Sequence, residues 1–83
     1  MKTAFSDDGW EDYCSWAGDR TILLRTNRMI AEAKRDPSEG IGKPERLTAN
    51  ISGHWSRRID GEHRLVYTVR ADEIVIIQAR YHY

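Results

Sequence analysis

The stretch Gly53-His-Trp-Ser-Arg-Arg-Ile-Asp-Gly-Glu-His-Arg-Leu-Val-Tyr67 decides the fold, because it carries the clearest hairpin signal of the 83-residue chain. Asp60-Gly61 lies between two runs rich in aromatic and β-branched residues, and this dipeptide favours a two-residue type I′ turn. A turn of that length places Arg57 directly opposite Arg64. We therefore predict an antiparallel hairpin around which the other elements are arranged.

The predicted pairing of Arg57 with Arg64 has a chemical consequence. Like charges directly opposite one another are unfavourable unless an anion lies between or over them. The register therefore suggests a phosphate-sized partner for the two arginines. The alternative is that they pair with Asp60, Glu62 or a more distant acid, and the sequence alone leaves both explanations open.

Two helices are predicted before the hairpin. Ser6 is a good N-cap for a helix from about Asp7 to Gly18, and Asp19 can cap a second helix. The second helix ends at Asp36, because the residue before a proline is pushed out of the α region. Apolar side chains at helical spacing are expected in the core: Trp10, Tyr13, Cys14 and Ala17 in the first helix, and Ile22, Leu23, Met29, Ile30 and Ala33 in the second. Four residues of the second helix are expected to stay in water: Arg25, Arg28, Glu32 and Lys34.

The remaining elements complete a single domain over residues 1–83. A loop rich in glycine and proline runs from Ser38 to Arg46, and the apolar run from Glu73 reads as a central strand. The order of the elements predicts an α+β fold, with two antiparallel N-terminal helices packed on one face of a mostly antiparallel sheet. The other sheet face stays open and is the natural binding surface.

The composition excludes several classes of protein. With 13 basic and 13 acidic residues, the chain has no net charge that would attract nucleic acid indiscriminately. It has no apolar run of membrane-spanning length and no stretch of signal-peptide length, so we expect a cytoplasmic protein with no membrane contact. A single cysteine excludes an internal disulfide framework. The histidines and Cys14 show no zinc-ligand spacing, so we expect neither a metal nor a cofactor.

The open face and its rim are expected to gather groups suited to RNA cleavage. Without a metal, that reaction needs a base for the 2′-hydroxyl proton, cations for the phosphorus oxygens and an acid for the leaving 5′-oxygen. The candidate residues are Lys43, Glu45, Arg57 or Arg58, Arg64, Arg80, His82 and Tyr83. By composition alone, a terminal His-Tyr pair is more often a frayed end than a catalytic one.

Four motifs occur in order along the chain: Gly42-Lys-Pro-Glu45, Ser52-Gly-His-Trp-Ser-Arg-Arg-Ile59, Glu62-His-Arg-Leu-Val-Tyr67 and Arg80-Tyr-His-Tyr83. Together they resemble the YoeB family of toxin–antitoxin toxins, essentially end to end. The resemblance implies a RelE-like, microbial-ribonuclease-like fold. It also implies a ribosome-dependent endoribonuclease that cuts messenger RNA in the decoding site and leaves a 2′,3′-cyclic or 3′-phosphate and a 5′-hydroxyl. The implied partners are a YefM-type antitoxin, a second copy of the chain, and operator DNA only through the antitoxin complex.

The resemblance also implies roles for individual residues. Glu45 is the expected general base, Arg64 the phosphate clamp and His82 the general acid, while Arg58 and Tyr83 position the substrate. Three more residues are candidate substrate contacts: Lys43, Arg57 and Arg80.

Two points do not fit the resemblance directly. Thr48 stands where the family often has a lysine, so a cationic contact is missing unless Lys43 or Arg46 supplies it. The predicted register also puts Arg57, and not Arg58, beside Arg64, and a single β-bulge near the turn would reconcile the two.

Rival functions remain open at this stage. The chain is alternatively a non-catalytic binding protein of the same fold, either directed at DNA gyrase like the ParE toxins or acting as a co-repressor with its antitoxin. The combination of Glu45, Arg64 and His82 favours the nuclease.

Overall fold

In the residues that the structure describes, the protein folds into two helices and a five-stranded sheet. The computed structural model describes residues 1–48 and 53–81. Within them the chain forms β1 (Lys2–Phe5), α1 (Asp7–Ser15), α2 (Arg20–Arg35), β2 (Glu45–Arg46), β3 (His54–Arg58), β4 (Arg64–Arg70) and β5 (Glu73–Gln78). The strand order is β1-β5-β4-β3-β2, in which β1 and β5 are parallel and the other neighbours antiparallel. The predicted α+β fold, with its mostly antiparallel sheet, is confirmed. Neither helix in the described parts of the chain combines the length and apolar character of a membrane span.

Local capping chemistry sets the helix starts, as predicted. The Ser6 hydroxyl accepts a hydrogen bond from the Gly9 N–H at 3.0 Å, and the Asp19 carboxylate accepts one from the Ile22 N–H at 3.1 Å. Helix α2 ends at Arg35, immediately before Asp36 and Pro37. The two predicted caps and the predicted stop are therefore confirmed.

The core lies between α2 and the sheet. It consists of Met29, Ile30, Ala33, Ile59, Leu65, Tyr67, Ile74, Ile76 and Ala79. The three α2 residues in this set belong to the predicted apolar stripe, which is confirmed. Glu32 departs from the prediction, because only 15% of its side chain is exposed.

The predicted buried face of α1 is confirmed for Tyr13, which is partly buried and packs against the core, but is wrong for its other three residues. Trp10 is 53% exposed, and Cys14 and Ala17 are exposed as well, whereas Trp16 is buried. The helix instead turns Gly9 and Trp16 toward the sheet, and a Cβ on Gly9 would lie 2.1 Å from the Ile76 carbonyl oxygen. Because the closest contact is made by a residue without a side chain, apolar spacing could not reveal it.

The hairpin register also differs from the prediction. Arg58 pairs with Arg64, and Arg57 pairs with Leu65. The Ile59 N–H donates to the His63 carbonyl oxygen, so the loop consists of residues 60–62 and is one residue longer than the predicted turn. Asp60 and Gly61 both lack the positive φ that a type I′ turn requires. The Asp60 carboxylate instead accepts the N–H groups of Glu62 and His63 at 2.8 and 2.7 Å. One additional loop residue shifts the pairing and moves every β3 side chain to the other face.

Candidate functional site

Two consecutive arginines of β3 point in opposite directions. Arg57 is completely buried on the helix side of the sheet, while Arg58 is exposed on the open side, opposite Arg64. The predicted juxtaposition of Arg57 and Arg64 is therefore wrong, and the reason is the longer hairpin loop. The structure places Arg58 on the open face, which is the face that the resemblance favoured.

A carboxylate and a guanidinium group meet on the open face. Arg64 Nη1 donates to Glu45 Oε1 at 2.9 Å and to Ser56 Oγ at 3.0 Å. Glu45 is placed there because it pairs with Ser56 across β2 and β3. The Glu45 side chain is 55% exposed and that of Arg64 only 14%. The site thus combines a guanidinium group fixed by two hydrogen bonds with a carboxylate that solvent and ligands can reach.

An open pocket adjoins this pair. It has a volume of about 130 Å³ and is lined by Arg58, Asp60, Gly61 and Arg64. Its walls carry two guanidinium groups and one carboxylate, so its positive groups outnumber its negative ones. Glu45 does not line the pocket but adjoins it through its bond to Arg64.

The loop before β2 is held against β3 by a backbone contact. The Gly42 carbonyl oxygen accepts the Arg58 N–H at 2.6 Å, and Gly42 has a φ of 85°. A Cβ at this glycine would lie 2.8 Å from the Met29 sulfur. Lys43 follows in an exposed position, two residues before Glu45, and Thr48 is exposed as well. The loop therefore places Lys43 in an exposed position shortly before Glu45 enters β2.

The Arg57 side chain is surrounded by protein groups and has no surface that a substrate could contact. Its Nε donates to the Tyr67 hydroxyl at 2.8 Å, and its Nη1 donates to the Ile41 carbonyl at 3.1 Å. Its Nη2 donates to the carbonyl oxygens of Asp36 and Glu39 at 3.0 and 2.7 Å. The expectation that Arg57 binds substrate does not match this burial, because all three of its nitrogens bond within the protein. Arg57 instead holds the segment after α2 against the sheet.

Tyr67 and Glu32 complete the attachment of that segment. The Tyr67 hydroxyl donates to the Pro37 carbonyl at 2.6 Å, and burial raises the pKa of this tyrosine, which keeps the donating proton in place. The Glu32 carboxylate accepts the Ile41 N–H at 2.8 Å. This backbone hydrogen bond, followed by the bond from Arg28, holds the pKa of Glu32 below its usual range. Glu32 stays out of water because it binds the loop.

Arg80 lies against α1. Its guanidinium carbon is 4.2 Å from the centre of the Trp16 ring, and its Nη1 donates to the Ser15 hydroxyl at 2.9 Å. The structure thus brings Glu45, Arg58 and Arg64 together but directs Arg80 toward the first helix. The predicted residues His82 and Tyr83 lie outside the described residues.

His63 is a residue of the site that the sequence did not single out. Its Nδ1 accepts the Tyr81 N–H at 2.7 Å, and the Tyr81 carbonyl oxygen accepts the Arg64 N–H at 3.1 Å. The available signal was a histidine just before Arg64, but its partner comes from a distant part of the chain. Among the residues that the structure describes, no group of three or more His, Cys, Asp or Glu side chains is arranged to hold a metal ion.

Comparison with known proteins agrees with the fold and the motifs. A family model described as YoeB-like toxin of bacterial type II toxin-antitoxin system matches residues 5–83. A toxin YoeB of Streptomyces coelicolor is 56% identical over 84 residues, and the alignment covers all of both chains.

Solved structures are similar over the same length. A YoeB/ParE toxin from Agrobacterium tumefaciens superposes with a TM-score of 0.95 at 42% identity, and all of both chains is covered. A YoeB dimer from Staphylococcus aureus gives 0.90 at 41%, and a YoeB-YefM complex from the same organism gives 0.89 at 40%. Both cover 100% of this chain and 98% of the other. The chain therefore belongs to the family of YoeB-like toxins of bacterial type II toxin–antitoxin systems.

Proposed function

We propose that this toxin is a metal-independent, ribosome-dependent endoribonuclease that cleaves messenger RNA in the decoding site. The observation that carries the proposal is the pair of Glu45 and Arg64, joined at 2.9 Å on the open sheet face beside the pocket that Arg58 lines. A base and a cation at this separation can serve the same phosphodiester, the first at the attacking oxygen and the second at the phosphorus oxygens.

The proposed reaction is an internal phosphoryl transfer. Glu45 takes the proton of the 2′-hydroxyl, whose oxygen then attacks the adjacent phosphorus. The bond from the 2′-oxygen to phosphorus forms while the bond from phosphorus to the 5′-oxygen breaks, and His82 donates a proton to the departing oxygen. Arg64 and Arg58 balance the charge on the phosphorus oxygens. The products are a 2′,3′-cyclic phosphate, which water opens to a 3′-phosphate, and a 5′-hydroxyl.

Other predicted residues have supporting roles in the proposal. Tyr83 positions the substrate next to His82, and Lys43 contacts the RNA backbone from the rim of the face. Arg80 contacts the RNA backbone in this proposal, which requires its side chain to move away from the Trp16 ring. Arg57 does not bind the substrate in this proposal, because its side chain is buried.

The exposure of Glu45 supports the need for the ribosome. A carboxylate in water is a weak base near neutral pH, and here 55% of the side chain is exposed. A ribosome that presents the messenger in one geometry supplies the positioning that the free protein lacks. We therefore expect the free toxin to be a poor nuclease.

The partners follow from the same proposal. The Staphylococcus aureus relatives support a YefM-type antitoxin and a homodimer for this chain. Operator DNA is contacted only through the antitoxin complex, and the site of action is the cytoplasm, where ribosomes translate.

The test compares cleavage of messenger RNA on programmed bacterial ribosomes by the wild type, Glu45→Gln and His82→Ala. Asp72→Asn is the matched control for loss of a carboxylate, because the Asp72 side chain is 89% exposed in a distant turn. We expect the wild type and the control to leave 5′-hydroxyl ends and a cyclic or 3′-phosphate. Each of the two site variants should cut at least about 100-fold more slowly while still binding ribosomes. If the wild type does not cut, the enzyme proposal fails, and gyrase binding and antitoxin-dependent operator binding are assayed next.

A further inference from the structure

The segment that follows β5 is bound through its backbone. The Ala79 N–H donates to the Asp12 carboxylate at 3.1 Å, and the Ala79 carbonyl oxygen accepts the Trp16 indole N–H at 2.7 Å. The Tyr81 N–H donates to His63 Nδ1 at 2.7 Å. Both ends of residues 79–81 are thus tied to other elements, and His63 provides the tie at the Tyr81 N–H.

The hydrogen bond from Tyr81 fixes the role of one ring nitrogen of His63. An N–H group can only donate, so the Nδ1 that accepts the Tyr81 N–H carries no proton, and the ring proton lies on Nε2. The ring is 7% exposed and packs edge-on against Trp16 with 4.8 Å between the ring centres. Glu62 is the acidic group that faces Nε2, at 3.7 Å. The histidine is therefore oriented from three sides.

The tie at Tyr81 fixes the chain direction next to the clamp arginine. Tyr81 has a φ of 61°, a left-handed conformation that is unusual for a residue with a side chain and needs support from its surroundings. Its carbonyl oxygen accepts the Arg64 N–H at 3.1 Å and the Gln78 amide at 3.1 Å. The side chain of His63 and the backbone of Arg64 thus hold the two sides of the Tyr81 residue.

We propose that His63 is a positioning residue that fixes the C-terminal segment through the Tyr81 N–H and so sets the rate of RNA cleavage. The inference rests on the proposed function, which gives His82 the role of general acid. His63 itself does not touch the substrate. It acts by holding Tyr81, whose carbonyl oxygen accepts the Arg64 N–H, in its position next to the proposed phosphate-binding arginine.

Three variants separate this role from simple packing. His63→Asn places an amide oxygen near the position of Nδ1 and retains an acceptor. His63→Gln places its amide nearer to Nε2, and His63→Phe retains a ring against Trp16 but accepts no hydrogen bond. On programmed ribosomes we expect kcat to fall about 100-fold in His63→Phe and to be rescued to within about 5-fold in His63→Asn, with KM changed little in both. His63→Gln should behave like His63→Phe.

A second measurement does not depend on cleavage. Amide hydrogen exchange at Tyr81 in the free protein should be slow in the wild type and in His63→Asn and much faster in His63→Phe and His63→Gln. Unchanged exchange in His63→Phe would overturn the proposal whatever the ribosome assay shows. Equal kcat in His63→Phe, His63→Asn and the wild type would also overturn it. If the wild type does not cleave but Tyr81 exchange follows the acceptor, the proposed function fails while His63 keeps its role as the anchor of the segment.

Discussion

Arg57 and Arg64 lie on neighbouring strands and make equally short hydrogen bonds, yet their surroundings differ in kind. Arg57 is fully buried and donates to the carbonyl oxygens of a loop and to Tyr67. Arg64 lies on the open face and donates to the side chains of Glu45 and Ser56. Backbone carbonyls are permanent partners, whereas a substrate oxygen can replace an exposed carboxylate. The comparison predicts that one arginine serves stability and the other serves chemistry.

The largest effect is expected from Arg57→Leu. The substitution leaves the carbonyl oxygens of Asp36, Glu39 and Ile41 and the Tyr67 hydroxyl without their buried donor. We expect the free energy of unfolding to fall by roughly 3–5 kcal/mol, as measured by urea denaturation. Arg57→Lys keeps the charge but has fewer donors, so its free energy of unfolding should lie between those of the wild type and Arg57→Leu. A loss below about 1 kcal/mol for Arg57→Leu would contradict the role of Arg57 in stability.

Arg64→Gln should show the opposite pattern. Its partner Glu45 is mostly exposed, so removal of the ion pair should change the free energy of unfolding by less than about 1 kcal/mol. Cleavage on ribosomes should fall by at least about 100-fold, which corresponds to about 2.7 kcal/mol of lost transition-state stabilisation. Unfolding and cleavage are measured on the same preparation. A variant that is strongly destabilised but cuts normally when folded contradicts the chemical role of Arg64.

Tyr67→Phe tests the helix-side network with a smaller change. Loss of the hydroxyl removes its bonds with Arg57 and Pro37 and should cost about 1–2 kcal/mol. Because burial raises the pKa of Tyr67, its contribution is complete below the ordinary tyrosine pKa of 10.0 and is lost as pH rises through the higher folded value. The alkaline fall in stability should therefore be shallower in Tyr67→Phe. Tyr13→Phe, which removes an exposed hydroxyl bonded to Asn27, is the control that should keep the wild-type slope.

The smallest effect is expected from Glu32→Gln. The Ile41 N–H and Arg28 lower the pKa of Glu32 from its ordinary value of 4.5, so the carboxylate stabilises the fold above that pH. The contribution is lost as pH falls through the lower folded pKa. Denaturation curves should therefore separate the wild type from Glu32→Gln at neutral pH and converge in acid. A difference that grows as the pH falls would show that the Glu32 charge does not support the loop.

Features that depend on neighbours in the sequence could be predicted, and features that depend on tertiary contacts could not. The caps at Ser6 and Asp19 follow from local chemistry, and so does the stop before Pro37. Most of the α1 face was mispredicted because the approach of Gly9 to Ile76 is a contact between distant residues.

The hairpin illustrates the same limit within a few residues. Asp60-Gly61 has the composition of a tight turn, but the Asp60 carboxylate binds two backbone N–H groups of the following residues, and the loop gains a residue. That single residue reverses the faces of Arg57 and Arg58. The resemblance to the YoeB family favoured Arg58 as the arginine on the open face, whereas the hairpin register predicted from the sequence placed Arg57 there.

The site was predictable in part for related reasons. The residue types needed for phosphoryl transfer are visible in the sequence, and Glu45 and Arg64 were expected on one face, where the structure joins them. The contact between His63 and Tyr81 was not predictable, because it requires the end of β5 to return to the start of β4.

The parallel pairing of β1 with β5 has a consequence for synthesis. Strand β1 is made first, but its partner Glu73–Gln78 is made after β2, β3 and β4. Until β5 has left the exit tunnel, β1 has no neighbour in the sheet, and Gly9 has no Ile76 carbonyl to pack against. The nascent chain can form the contact between β3 and β4, yet it lacks the strand that joins the first helix to the rest of the core. We therefore expect the toxin to gain its full structure only after β5 has emerged from the tunnel, in one cooperative step.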